Sequence, residues 1–218
     1  MNKAVLAAFR TQQKGVVVTN WQPVRITTSD ASGNSIENNS WNNGRDDNGD
    51  ATMTYQWGLW PGQTPWKLSV EMSRTSGFSD DEVWTVQNIP VKPGSQQELW
   101  NYGGRNGGTK AAFAEATLNG IHLKLFPAIQ FTDQNWGNDE KPGGFRVQAD
   151  QALDGMQMTL VKATDEQGRD VPCWGGNGWG GDSRQFQLRN LRNAKFLNAT
   201  IALHKSRFVE FTVNPAKQ

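Results

Sequence analysis

Apolar and polar residues alternate with period two along several stretches of this chain, the pattern of half-buried β-strands. WKLSVEMS (66–73) places Trp66, Leu68, Val70 and Met72 on one face, and LNATIALH (197–204) does the same with Leu197, Ala199, Ile201 and Leu203. TMTYQWGL (52–59), SRQFQLRNL (183–191), EVWTVQNIPV (82–91) and VEFTVNPA (209–216) are further alternations of this kind. LNGIHLKLFPAIQF (118–131) predicts a strand pair, or one long strand broken at Pro127. Helical periodicity is confined to two short places. At the start, Val5, Leu6 and Phe9 share one side of a short helix, and TKAAFAEATL (109–118) has room for one or two turns.

The chain also echoes itself. VRITTSDASGNSI (24–36) and TLVKATDEQGRDV (159–171) both run from an alternating strand into [ST]-D-x-x-G-x-x-[IV], so that Asp30 matches Asp165 and Gly33 matches Gly168. Asp at the start and Gly at the fourth position suit a type I turn whose carboxylate caps backbone amides. The strands named above then pair off in the same order, 52–59 with 183–191, 66–73 with 197–204 and 82–91 with 209–216, about 130 residues apart. The expectation is a mainly β protein of two tandem antiparallel β-sandwich domains from an internal duplication, with a short N-terminal helix. The helix takes 1–14, the first domain 15–94 and the second 95–218, with the boundary near Pro93-Gly94. This architecture resembles the immunoglobulin-like and fibronectin-like repeats of bacterial envelope and secreted proteins, without the paired cysteines of true immunoglobulin domains.

Composition narrows the function. The formal charge is +1, from 22 basic and 21 acidic residues scattered singly, so the electrostatic footprint of a nucleic-acid binder is missing. No apolar run is long enough to span a membrane, and the start lacks the apolar core and cleavage site of a signal peptide. The single cysteine, Cys173, forms no intrachain disulfide and has no neighbouring Cys or His. Ten Trp against two Tyr is the real outlier.

Catalytic signatures are wanting. His122 shares an outward strand face with Lys124, and His204 ends a strand beside Lys205; each reads as a solvated residue. No G-x-S-x-G elbow or phosphate-binding glycine motif occurs. Glu71 and Glu210 lie in strands, and Glu71 points away from Leu68, Val70 and Met72, which disfavours a glycosidase pair. Asp46, Asn48 and Asp50 have the i, i+2, i+4 spacing of calcium loops, but Ala51 and Trp57 stand where an EF-hand has Gly and Glu. The spacing offers a looser calcium site, with a solvated Asx-rich turn as the alternative; no other cofactor is implied.

The tryptophans remain. Trp57, Trp66 and Trp84 fall on buried strand faces, while Trp41 and Trp174 occupy matching places after the shared turn and read as structural plugs. Trp60, Trp100, Trp136 and Trp179 lie beside loops rich in Gly and Asn, a composition suited to stacking on sugar rings. The expected function is therefore a non-catalytic tandem β-sandwich module for adhesion, assembly or protein–protein contact in an extracytoplasmic protein. The alternative is a carbohydrate-binding module using those loop tryptophans. The partner is a protein or a polysaccharide, and the oligomeric state is left open.

Overall fold

The computed structural model describes residues 5–9, 12–18, 20–38, 51–55, 64–101, 111–133, 141–179 and 181–214, and these are mainly β. The first strands are β1 (Val5–Phe9), β2 (Gln12–Gln13), β3 (Val16–Val17), β4 (Trp21–Ser29), β5 (Ser35–Asn38), β6 (Ala51–Tyr55), β7 (Trp66–Arg74) and β8 (Val83–Gly94). Helix α1 (Gln96–Asn101) follows, then β9 (Ala114–Leu118), β10 (Ile121–Leu125), β11 (Ala128–Phe131), β12 (Gly143–Ala149) and β13 (Met156–Asp165). The chain ends with β14 (Cys173–Trp179), β15 (Ser183–Leu188), β16 (Phe196–Lys205) and β17 (Arg207–Val213). It divides into two compact units, Met1–Gly77 with Lys205–Gln218, and Phe78–His204. The boundary expected at 94 thus falls at the end of β8, inside the second unit, and the first unit is discontinuous because β17 returns to it.

In the first unit the main sheet has the order β17-β7-β4-β5, with every neighbour antiparallel. Ile26, Trp66, Leu68, Val70 and Met72 form its core, which is the face the alternation assigned to β7. Glu71 lies on the other face, as expected, yet it is only 2% exposed and accepts a 2.8 Å bond from Arg25 Nε directly across the strands. Among the described residues of the expected N-terminal helix none is helical. Val5–Phe9 is a strand, paired antiparallel from Val5↔Tyr55 to Phe9↔Ala51. Five residues with β-branched Val5 satisfy either period, and the available strand partner decides between them.

The second unit carries a nine-stranded sheet of order β13-β16-β8-β11-β12-β10-β9, with β15 added to β12 and β14 to β15. β10 and β11 line the same edge of β12, through Leu125↔Val147 and Ile129↔Gly144, so they are one long strand broken at Pro127. Residues 114–118, expected to be helical, form β9 and pair with β10. The Gly- and Trp-rich stretch after Pro172 is also a strand, β14, rather than a loop. Phe145, Val147, Phe186, Leu188, Leu123 and Leu125 meet in one large core with Leu197 and Ile201 of β16.

The two turns singled out by the sequence fold identically. Asp30 Oδ1 accepts the amides of Ser32 and Asn34, both at 3.0 Å, and Asp165 Oδ1 accepts those of Gln167 and Arg169, both at 2.9 Å. Gly33 and Gly168 have φ of +90° and +77°, a backbone region in which any larger residue is strained.

A glycine of another kind sits at the start of β12. A Cβ on Gly144 would lie 2.5 Å from the Phe186 carbonyl oxygen and 3.0 Å from Leu99 Cδ2. Gly144→Ala must therefore push β15 or α1 away, at an expected cost of about 1–3 kcal/mol. Urea unfolding measures it; a cost below about 0.5 kcal/mol, the level of an ordinary surface change, would mean that α1 does not close on the sheet there.

Candidate functional site

Strands β12 and β15 have two contrasting faces. Phe145, Val147, Phe186 and Leu188 point into the core. The intervening residues, Arg146, Ser183, Gln185 and Gln187, point the other way and are nevertheless buried, at 5–8% exposure. Part of their cover comes from α1, whose Leu99 packs with Phe126, Ile129 and Phe131 on that outer face. The result is a polar floor with an apolar wall at one end.

The register gives the floor its layout. Gln148 stands opposite both Lys124 and Ser183, making one cross-strand row; Arg146 opposite Gln185 makes the next. Lys124 is exposed and Gln148 half-buried, so the floor reaches solvent along that first row. Beyond Lys124, His122 Nε2 meets Glu115 Oε2 at 3.1 Å.

Arg146 is the centre of the floor. Its Nη1 donates to the Trp100 carbonyl at 3.0 Å and its Nη2 to Ser183 Oγ at 3.1 Å. Its Nε is buried without an acceptor, and Gln185 Oε1, directly opposite, is buried without a donor. Burial pushes the guanidinium's pKa down and nearby Asp182 works against it, but an arginine still carries its charge at neutral pH. Buried polar atoms are nearly always paired, so orphaned atoms on two residues that face each other in register mark this floor as the place to look for a missing partner. Chemically, the floor offers one donor, on the buried guanidinium itself, and one acceptor.

Of the residues expected at a site, Trp100 closes α1 beside this floor, half-buried, and contributes its carbonyl. The backbone of Trp179 pairs with Ser183, at the end of the same floor, but its side chain lies outside the described residues. Trp60 and Trp136 lie outside them too, as do Asp46, Asn48 and Asp50 of the calcium spacing. Trp174 is not a buried plug: it is 44% exposed, with the Arg189 guanidinium 5.7 Å from its ring. The glycines around it let the chain extend along β15 instead of folding the ring inward.

His204, expected in solvent, is fully buried; its Nε2 lies 3.2 Å from Thr159 Oγ1 and its ring 5.0 Å from that of Phe78. The residues that sequence reasoning passed over are Arg146 and Gln185. FRVQ and RQFQ alternate as any half-wet strand does, and only the cover supplied by tertiary structure separates a buried arginine from a solvated one.

No family model, no curated protein and no solved structure matches this chain. Among the described residues no helix is long and apolar enough to cross a membrane.

Proposed function

We propose that the chain is a non-catalytic, carbohydrate-binding β module of an extracytoplasmic protein, with its ligand seated on the outer floor of β12 and β15. The observation that carries this reading is that two residues opposite in register, Arg146 and Gln185, each bury a side-chain atom, Nε and Oε1, without a hydrogen-bond partner. A sugar hydroxyl accepts from one and donates to the other, and amide-rich floors with few charges suit such ligands. Trp100 and Trp179, the two expected stacking residues whose backbones are described, stand at the edge of this floor.

The finer fold reading belongs with it: two sandwich-like halves descended from one duplicated unit. The matched turns at Asp30 and Asp165 support this, and so does strand order. β4-β7-β17 in the first unit parallels β13-β16-β8 in the second. The last strand of each half is therefore exchanged, since β8 follows β7 in the chain while β17 follows β16.

The test is retardation of the full chain in native gels containing soluble polysaccharides, neutral and acidic. At least one should retard it, and Gln185→Leu should weaken that binding about tenfold, the worth of roughly one hydrogen bond. If none does, the protein-contact reading gains. It rests on β17, an edge strand whose Phe208, Val209, Phe211 and Val213 are 38–53% exposed.

A further inference from the structure

We propose that β17 is a dimerisation edge: in solution it pairs antiparallel with β17 of a second copy of this chain, joining two four-stranded sheets across a twofold axis beside Phe211. This goes beyond the carbohydrate reading and does not depend on it. Among the described residues β17 ends its sheet, and it pairs with β7 without a bulge from Arg207↔Met72 to Val213↔Trp66. Its outer edge therefore presents backbone donors and acceptors along a strand of seven residues. Monomeric proteins blunt such edges with charge, proline, bulges or shortness. β5, at the other edge of the sheet, is only four residues long. β17 has no proline, and its two charges turn back onto their own sheet. The Arg207 guanidinium lies 4.6 Å from the centre of the Trp21 ring, and Glu210 pairs with Lys67 at 3.0 Å. What stays exposed along the edge is apolar: Phe208, Val209, Phe211 and Val213.

Self-complementarity selects a second copy as the occupant. Across a twofold axis, antiparallel strands set one residue opposite itself and pair the others symmetrically about it. Val209, Phe211 and Val213 share the core face of the sheet, beside Val70, Leu68 and Trp66 of β7. About Phe211 this row is a palindrome. Val209 meets Val213, Phe211 meets Phe211, and the apolar core runs on from one sheet into the next. On the other face Glu210 meets Thr212 and Phe208 meets Asn214, so no like charges stand opposed. The neighbouring centres are worse. About Glu210 the carboxylate faces its own copy; about Val209, Phe208 faces Glu210 and Phe211 faces Arg207. One register thus suits both faces at once, and a strand from an unrelated protein would require no such symmetry in β17.

The experiment is sedimentation velocity of the full chain from about 2 to about 500 µM, because a single strand edge buries less than a standard interface and gives a weak dimer. The wild type should pass from monomer to dimer across that range. Phe211→Lys sets two lysines face to face at a position already exposed, so it should weaken dimerisation at least tenfold and shift Tm by no more than about 2 °C. Cysteine cross-linking reads the register, in a Cys173→Ser background because native Cys173 is exposed. Phe211→Cys faces itself and should form the intermolecular disulfide at least tenfold faster than Val209→Cys alone. Val209→Cys should match it only when mixed with Val213→Cys. A monomer at every concentration overturns the proposal and leaves the edge to a strand of another protein. A dimer untouched by Phe211→Lys overturns it too, since pairing then uses another surface. The cross-linking pattern holds whatever Phe211→Lys does to folding: a disulfide that forms fastest from Val209→Cys alone overturns the axis beside Phe211.

Discussion

Replacing Phe145 by alanine is expected to cost about 3–5 kcal/mol, the usual range for truncating a fully buried aromatic. Phe145 is 0% exposed and stands directly across from Phe186, with ring centroids 5.2 Å apart and planes tilted by 42°. The truncation opens a cavity between two strands and removes an aromatic pair that adds about 0.5–1.5 kcal/mol beyond area burial. The site cannot collapse cheaply. The backbone at Gly144 lies so near that of Phe186 that a Cβ there would meet its carbonyl oxygen, and Val147 belongs to the same packed layer as Phe145. Against a typical domain stability of about 5–15 kcal/mol, such a loss leaves the second unit marginal or unfolded at 37 °C. Urea unfolding read by near-ultraviolet circular dichroism measures it. A cost under about 1.5 kcal/mol, the range of a tolerated core swap, would show that this layer is loosely packed.

The same variant probes the floor, because Phe145 and Arg146 are consecutive residues on opposite faces of β12. Local sequence wrote the first face plainly. In β7 and β16 too, strict alternation named the buried residues, since period two ties each side chain to one side of the sheet. What alternation cannot encode is which strand lies alongside and what covers the far face. β8 and β17 share an aromatic-Thr-Val core and were readable as strands, but nothing in either segment says that β8 pairs with β16 and β17 with β7. His204 ends its strand next to Lys205 and looks solvated until Phe78 and Thr159 are brought to it. Arg146 was hidden for the same reason: a charged residue between two apolar ones normally marks the wet face, and here α1 makes that face dry. The turns at Asp30 and Asp165 were fully legible, because every bond they need lies within four residues of the aspartate.

That locality makes the second turn a clean test. Asp165→Ala is expected to cost about 2–3 kcal/mol, because it strands two amides that a buried charge now holds. Asp165 is 3% exposed; its Oδ1 accepts the amides of Gln167 and Arg169, and its Oδ2 accepts Arg169 Nε at 2.6 Å. Asp165→Asn keeps an oxygen for both amides and loses mainly the ion pair to a partly exposed arginine, so it should cost markedly less. The pH dependence follows from the same bonds. Burial works to raise the carboxyl, but the Arg169 and Gln167 amides and the Arg169 guanidinium outweigh it, and its pKa lies below the ordinary 3.8. A lowered acid pKa in the fold gives stability that is complete above the unfolded value and is lost as pH falls through the folded one. The wild-type denaturation midpoint should therefore hold steady down to about pH 4 and fall below it as Asp165 takes up its proton. In Asp165→Asn the part of that fall due to this residue disappears. Asp30, held low by the Ser32 hydroxyl and by Asn34, supplies a similar slope in the first unit. Stability curves of Asp165→Asn and wild type that run parallel from pH 5 to pH 2.5 would mean that the carboxyl has the same pKa in the folded and unfolded chain, so that its bonds in the turn do not favour the charged form.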